Sequence, residues 1–177
     1  MLVRHAGTAA TRSSRLPLDE VAEQPLPDFT RWQGRTGTVL TSPALRCHVP
    51  GATVEPQLGP WDLGRWAGLS LADVPDLPAW RTDPAYDGHG GESALALLTR
   101  VEALLAGLHG GQGGQGGQGR IVAVTHAAVI RLAVLHALGA PVEAAWQLDI
   151  APGSLTELHA SGAGWRVARV NDLSSSG

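Results

Sequence analysis

The sequence predicts an α/β fold, and three observations carry that expectation. Three short apolar runs with β-branched residues, Leu2-Val3, Thr38-Val39-Leu40 and Ile121-Val122-Ala123-Val124, do not alternate with polar residues, which is how strands buried on both faces read. Each run passes into turn-forming or helix-compatible sequence, as parallel strands joined by crossovers require. Two longer segments carry helical patterns between and after these runs.

Taken in chain order, the first strand ends at Arg4-His5, and the second leads through Thr41-Ser42-Pro43-Ala44-Leu45 to Arg46. Cys47-His48-Val49-Pro50-Gly51 then limits any helix there to about a turn, because proline and glycine end helices. From Glu92 to His109, residues Ala94, Leu97, Val101, Leu104 and Leu108 form one apolar stripe at spacings of three and four, and Gly110-Gly111 stops the helix. Gly110 to Gly119 is a Gly/Gln repeat whose lack of apolar residues predicts a flexible loop. It follows a helix, precedes a strand and lacks a Gly-Lys-Ser/Thr ending, so it is not a phosphate-binding P-loop. The third strand ends at Thr125-His126, and an almost wholly apolar helix runs from Ala127 to Leu138, with Gly139 and Pro141 as stops. Ser154 to Val170 alternates around Ser161-Gly162-Ala163-Gly164, which predicts a hairpin near the sheet edge.

Length and composition bound the function. The 177 residues suit one domain, 1–177, with 44% hydrophobic and 16% charged residues. A net charge of −3 offers no attraction to nucleic acid or an anionic membrane. No apolar run approaches the ~20 residues that span a bilayer, and no signal-peptide pattern opens the sequence. Cys47 is the only cysteine, which excludes an intrachain disulfide and fits a reducing cytoplasm. A small soluble partner is expected, with no nucleic acid and no membrane. The oligomeric state is not legible.

The informative residues stand at strand ends. In open parallel sheets the ligand crevice lies at the carboxyl ends of the strands, where Arg4, His5, Arg46 and His126 would converge. Guanidinium forks match phosphate oxygens, and an imidazole serves as nucleophile or donor towards phosphorus. No histidine pair has HxxxH spacing, so no metal is expected. Cys47 lacks an arginine six residues on, where Thr53 stands, which excludes a cysteine-phosphatase loop. No G-x-S-x-G elbow or dinucleotide fingerprint occurs in a strand-turn-helix context.

These stretches resemble the histidine phosphatase (phosphoglycerate mutase-like) superfamily. Leu2-Val3-Arg4-His5-Ala6-Gly7-Thr8 is similar to its L-x-R-H-G-x-T signature, Thr41 to Arg46 to its S-S-P-L-x-R, and Val124 to Arg131 to its second-histidine segment. Leu63-Gly64-Arg65-Trp66-Ala67-Gly68 and Gly90-Gly91-Glu92-Ser93 resemble F-G-x-W-E-G and G-G-E-S, all in family order. The resemblance implies a three-layer α/β/α sandwich with a mostly parallel central sheet. It also implies that His5 attacks phosphorus to form a phosphohistidine while Arg4, Arg46 and His126 stabilise the transferring group. Thr8, Thr11, Glu92 and Thr125 would bind substrate, and no cofactor or metal is implied.

Several positions depart from the family. Ala6 replaces a glycine, Thr11 an asparagine, and Ala127 offers no acid after the second histidine. The glutamate that usually protonates the leaving oxygen is replaced by Pro60, which cannot donate a proton. Asp62, about 6 to 7 Å further along an extended segment, is the first substitute. Glu92 is the second, unless it serves the dipole of the following helix. The expected function is therefore metal-independent hydrolysis of a small phosphorylated metabolite. The rival is a phosphoryl-binding module with lost catalysis, and a mutase is a third reading that lacks a long capping insert to exclude water. Trp61 and Trp66 are expected near the pocket rim, in the core or stacked on a flat substrate.

Overall fold

A computed structural model describes residues 1–26, 36–110, 120–162 and 164–174. In chain order the elements are β1 (Leu2–Arg4), α1 (Ala9–Arg12), β2 (Thr36–Thr41), β3 (Thr53–Val54), α2 (Leu77–Thr82), α3 (Ala94–Gly110), β4 (Arg120–Thr125), α4 (Ala127–Leu138), β5 (Leu155–Ser161) and β6 (Gly164–Asp172). The strands form one six-stranded sheet in the order β3-β2-β4-β1-β5-β6. Pairings β2–β3, β2–β4 and β1–β4 are parallel, and β1–β5 and β5–β6 are antiparallel. The α/β class and the mostly parallel sheet are as the sequence predicts, with the hairpin at one edge.

Alternation along the strands separates two cores. Leu2, Leu40 and Ala123 face α3 and α4, where Leu97, Val101, Leu104, Val129, Ile130 and Ala133 pack with them. Val3, Val122 and Val124 face the other side, against Cys47 and the half-buried Val49 and Leu26. A third cluster of Leu16, Leu63, Trp66, Val74 and Trp80 lies beneath the segment that leads to α3.

Helix α3 begins at Ala94, where the apolar stripe begins and two residues after the predicted start at Glu92. The Ser93 hydroxyl accepts the Ala96 N–H at 3.1 Å and the Ser93 carbonyl accepts that of Leu97, so Ser93 caps the helix and Glu92 lies outside it. Helix α4 matches its predicted limits, ending where Gly139 takes φ 62° and donates to the His136 and Leu135 carbonyls. The Gly/Gln loop predicted over 110–119 falls outside the described residues, apart from Gly110 at the end of α3. Strand β3 and helices α1 and α2 were not anticipated. They have two, four and six residues, too short for periodicity to register. No helix among the described residues is long and apolar enough to cross a membrane.

Candidate active site

Sheet register assembles the site. Arg4 lies opposite Thr125 on β4, and Thr41 opposite Val124, so the residues after each strand end emerge side by side. The His5 N–H donates to the Thr125 carbonyl at 3.0 Å and the Ser42 N–H to that of Val124 at 2.9 Å. As a result the His5 and His126 rings stand 5.2 Å apart, edge to face, and both are buried.

The protonation of His5 follows from its neighbour. Its Nδ1 lies 2.7 Å from the Ala6 carbonyl, which can only accept. Nδ1 therefore carries the proton, and Nε2 keeps its lone pair. Burial, reinforced by the Arg46 and Arg4 charges, lowers the His5 pKa to about 4, so the ring is neutral at ordinary pH. Burial also holds His126 well below the usual imidazole value, with Arg46, His5, Arg100 and Arg4 acting in the same direction. His126 Nε2 shares a 2.8 Å hydrogen bond with Ser42 Oγ, which also accepts the Ala44 N–H.

Both arginines are held by the main chain. Arg4 Nη1 donates to the Ile150 carbonyl, and Arg46 Nη1 to that of Leu18 at 2.8 Å, with the Asp19 carboxylate 3.9 Å away. Each keeps a buried Nε that meets no hydrogen-bond partner among the described residues. A buried donor costs about 1–3 kcal/mol unless an acceptor meets it, so the pair suits an oxygen-rich anion. The brevity of the turn at Leu45–Cys47 does not leave Arg46 loose, because Asp19 also accepts the Leu45 N–H at 2.9 Å.

The remaining sequence candidates separate. Asp62 is exposed and lines a cavity of about 390 Å³ together with Arg46, Asp19, Pro60 and Trp61, its Oδ1 accepting the Gly64 N–H at 2.9 Å. Thr8 caps α1, its hydroxyl accepting the Thr11 N–H at 3.3 Å and meeting the Thr11 hydroxyl at 3.1 Å. The expectation that Thr125 and Glu92 contact substrate meets side chains already committed elsewhere. The Thr125 hydroxyl is fully buried and donates to the Leu58 carbonyl at 2.7 Å. Both Glu92 oxygens are taken by Arg100, through Nε and Nη2 at 2.9 Å each. Glu92 thus lies outside α3, with its carboxylate paired to Arg100. Arg100 also donates to the carbonyls of Gln57, Gly59 and Pro60, and so fixes the segment where the family acid would stand.

Ser42, Arg100 and Asp19 were missed as individual contributors. Ser42 was visible inside its motif, whereas Arg100 lies eight residues from Glu92 and Asp19 in a stretch without periodicity. Cys47 is fully buried, and burial raises its thiol to about 12, which leaves it unreactive. No group of three or more His, Cys, Asp or Glu able to hold a metal occurs among the described residues. A larger hollow of about 580 Å³ lies at the opposite ends of β1 and β4, beside Leu2, Ile121, Glu157 and His159, away from these groups.

Comparison with known proteins finds solved structures of the same fold. A mycobacterial glucosyl-3-phosphoglycerate phosphatase complexed with VO3 is 24% identical, with 96% of each chain covered and a TM-score of 0.75. A putative alpha-ribazole-5'-P phosphatase from Escherichia coli is 20% identical over 97% of this chain and 95% of its own, with a TM-score of 0.73. A mutant phosphoserine phosphatase from Entamoeba histolytica, in complex with phosphoserine, is 15% identical over 98% and 96%, with a TM-score of 0.79. At these identities the likeness is one of fold. A search of curated proteins found no match. The model of the histidine phosphatase superfamily, branch 1, matches residues 1–173, and the chain belongs to that family.

Proposed function

We propose that the protein is a metal-independent phosphatase that hydrolyses a small phosphomonoester through a phosphohistidine on His5. The observation that carries this reading is the free Nε2 of a buried, neutral His5, set beside His126 with Arg4 and Arg46 acting on the same ring. In the first step Nε2 forms a bond to phosphorus as the bond to the leaving oxygen breaks. Arg4, Arg46 and His126 stabilise the charge on the transferring oxygens. Asp62 gives its proton to the leaving oxygen and then takes one from the water that splits the N–P bond. Thr8 and Thr11 shape the loop after His5. A small phosphorylated metabolite is the partner, and the single buried Cys47 suits a reducing cytoplasm.

Hydrolysis of an aryl phosphate with EDTA present, by wild type and His5→Ala, tests the reading. Turnover is expected to survive the chelator and vanish in the variant, and an acid-labile phosphoryl label is expected on wild type alone. Asp62→Asn is expected to slow alkyl phosphates by roughly 10² to 10⁴-fold while sparing aryl phosphates. A second reading, a phosphoryl-binding module without turnover, is favoured by one observation. Pro60 occupies the donor position and is held there by Arg100. Phosphate-dependent thermal stabilisation with no hydrolysis of any ester is its signature.

A further inference from the structure

The cavity beside Arg46 has walls that phosphate binding alone does not require. Trp61 is fixed before any ligand arrives. Its Nε1 donates to the Glu92 carbonyl at 2.5 Å, and its ring packs on Trp80 at 5.0 Å and Trp146 at 6.0 Å. Of the two rim tryptophans expected from sequence, Trp66 is buried in the core and only Trp61 lines this cavity. Leu18 joins it there and is 58% exposed, with Pro17 and Leu63 alongside. The charged residues of the same wall, apart from Arg46, are the carboxylates Asp19 and Asp62.

A preformed aromatic wall gains apolar contact without losing side-chain freedom on binding. Asp19 beside it repels a second anion by about tenfold in affinity at partly hydrated separations, and Asp62 does so whenever it does not carry the proton for the leaving oxygen. We propose that the organic part of the substrate is an apolar group without a second negative charge, an aromatic ring before an alkyl chain, lying against Trp61. The proposal rests on the phosphatase reading above and names its substrate class.

Matched esters test it. Benzyl phosphate and 4-carboxybenzyl phosphate share leaving-group chemistry and differ in one charge, and ethyl phosphate removes the ring. kcat/KM is expected to be at least tenfold higher for benzyl phosphate than for either of the others. Trp61→Leu, with Trp61→Ala as a second variant and both checked by thermal unfolding, should close the gap to ethyl phosphate. Asp19→Asn should narrow the gap to the carboxylated ester. His5-dependent turnover that favours 4-carboxybenzyl or ethyl phosphate overturns the substrate class and leaves the phosphatase reading standing. If no ester is hydrolysed, the phosphatase reading falls, and calorimetric binding of the same three esters to His5→Ala decides the selectivity. The order benzyl above the other two upholds the apolar site, and any other order overturns it.

Discussion

At the scale of single residues, one carbonyl decides the tautomer of the nucleophile: Ala6 accepts from His5 Nδ1 and leaves Nε2 free. Sequence reading named His5, Arg4, Arg46 and His126, because each stands where a strand run ends. It could not see Ser42 orienting His126, since that contact joins residues 84 positions apart. Ser42→Ala removes this hydrogen bond and leaves the buried His126 Nε2 with only the weak Cys47 Sγ contact at 3.6 Å. A fall in kcat of about tenfold is expected with KM nearly unchanged, alongside a stability loss of about 1–3 kcal/mol read as a lower melting temperature. An unaltered kcat would show that Ser42 does not orient His126. Glu92 was open to two readings in sequence, and the structure gives it a third partner in Arg100. Glu92→Gln is expected to cost about 1–3 kcal/mol of stability by leaving the guanidinium half-paired, read as a lower denaturant midpoint. Unchanged stability with a large loss on alkyl phosphates alone would return Glu92 to the role of acid.

Elements explain two motifs that residues taken singly do not. The Leu63–Gly68 and Gly90–Ser93 stretches pack on each other, the Glu92 N–H donating to the Asp62 carbonyl at 2.8 Å and the Arg65 N–H to that of His89 at 3.1 Å. A side chain at Gly91 would place its Cβ 2.3 Å from the Asp62 carbonyl oxygen, a main-chain atom that cannot move alone. Gly91→Ala is therefore expected to displace the Asp62 segment, costing about 1–3 kcal/mol and lowering turnover together with melting temperature. A variant as stable and active as wild type would show that the two stretches are not rigidly joined. The two long helices were legible because α3 and α4 repeat apolar residues over 17 and 12 positions. The sequence puts the start of α3 two residues early, at Glu92, because the Ser93 cap shows in its hydrogen bonds and not in the apolar stripe, which begins at Ala94.

For the whole molecule, burial of neutral histidines ties stability to pH. His5, His126 and His89 all have pKa values lowered in the folded chain, chiefly by burial. The unfolded chain then binds more protons below about pH 6.5, so stability is complete above that value and falls as pH drops towards 4, where His5 itself titrates. His5 alone accounts for an upper bound of roughly 3 kcal/mol by pH 4. Thermal unfolding from pH 7 to 4 is expected to show a steeper loss for wild type than for His5→Gln, and equal slopes would contradict a buried neutral His5. By itself the sequence determined the α/β class, the two long helices, the edge hairpin and the four strand-end residues, since burial on both faces, helical spacing and strand termination leave local patterns. Only the tertiary structure decided that Arg100 holds Glu92 and the Pro60 segment, that Asp19 braces Arg46, that Thr125 supports Leu58, and that Trp61 rather than Trp66 faces the cavity. Those pairings join residues distant in the chain through sheet register and loop packing, which no periodicity or local spacing encodes.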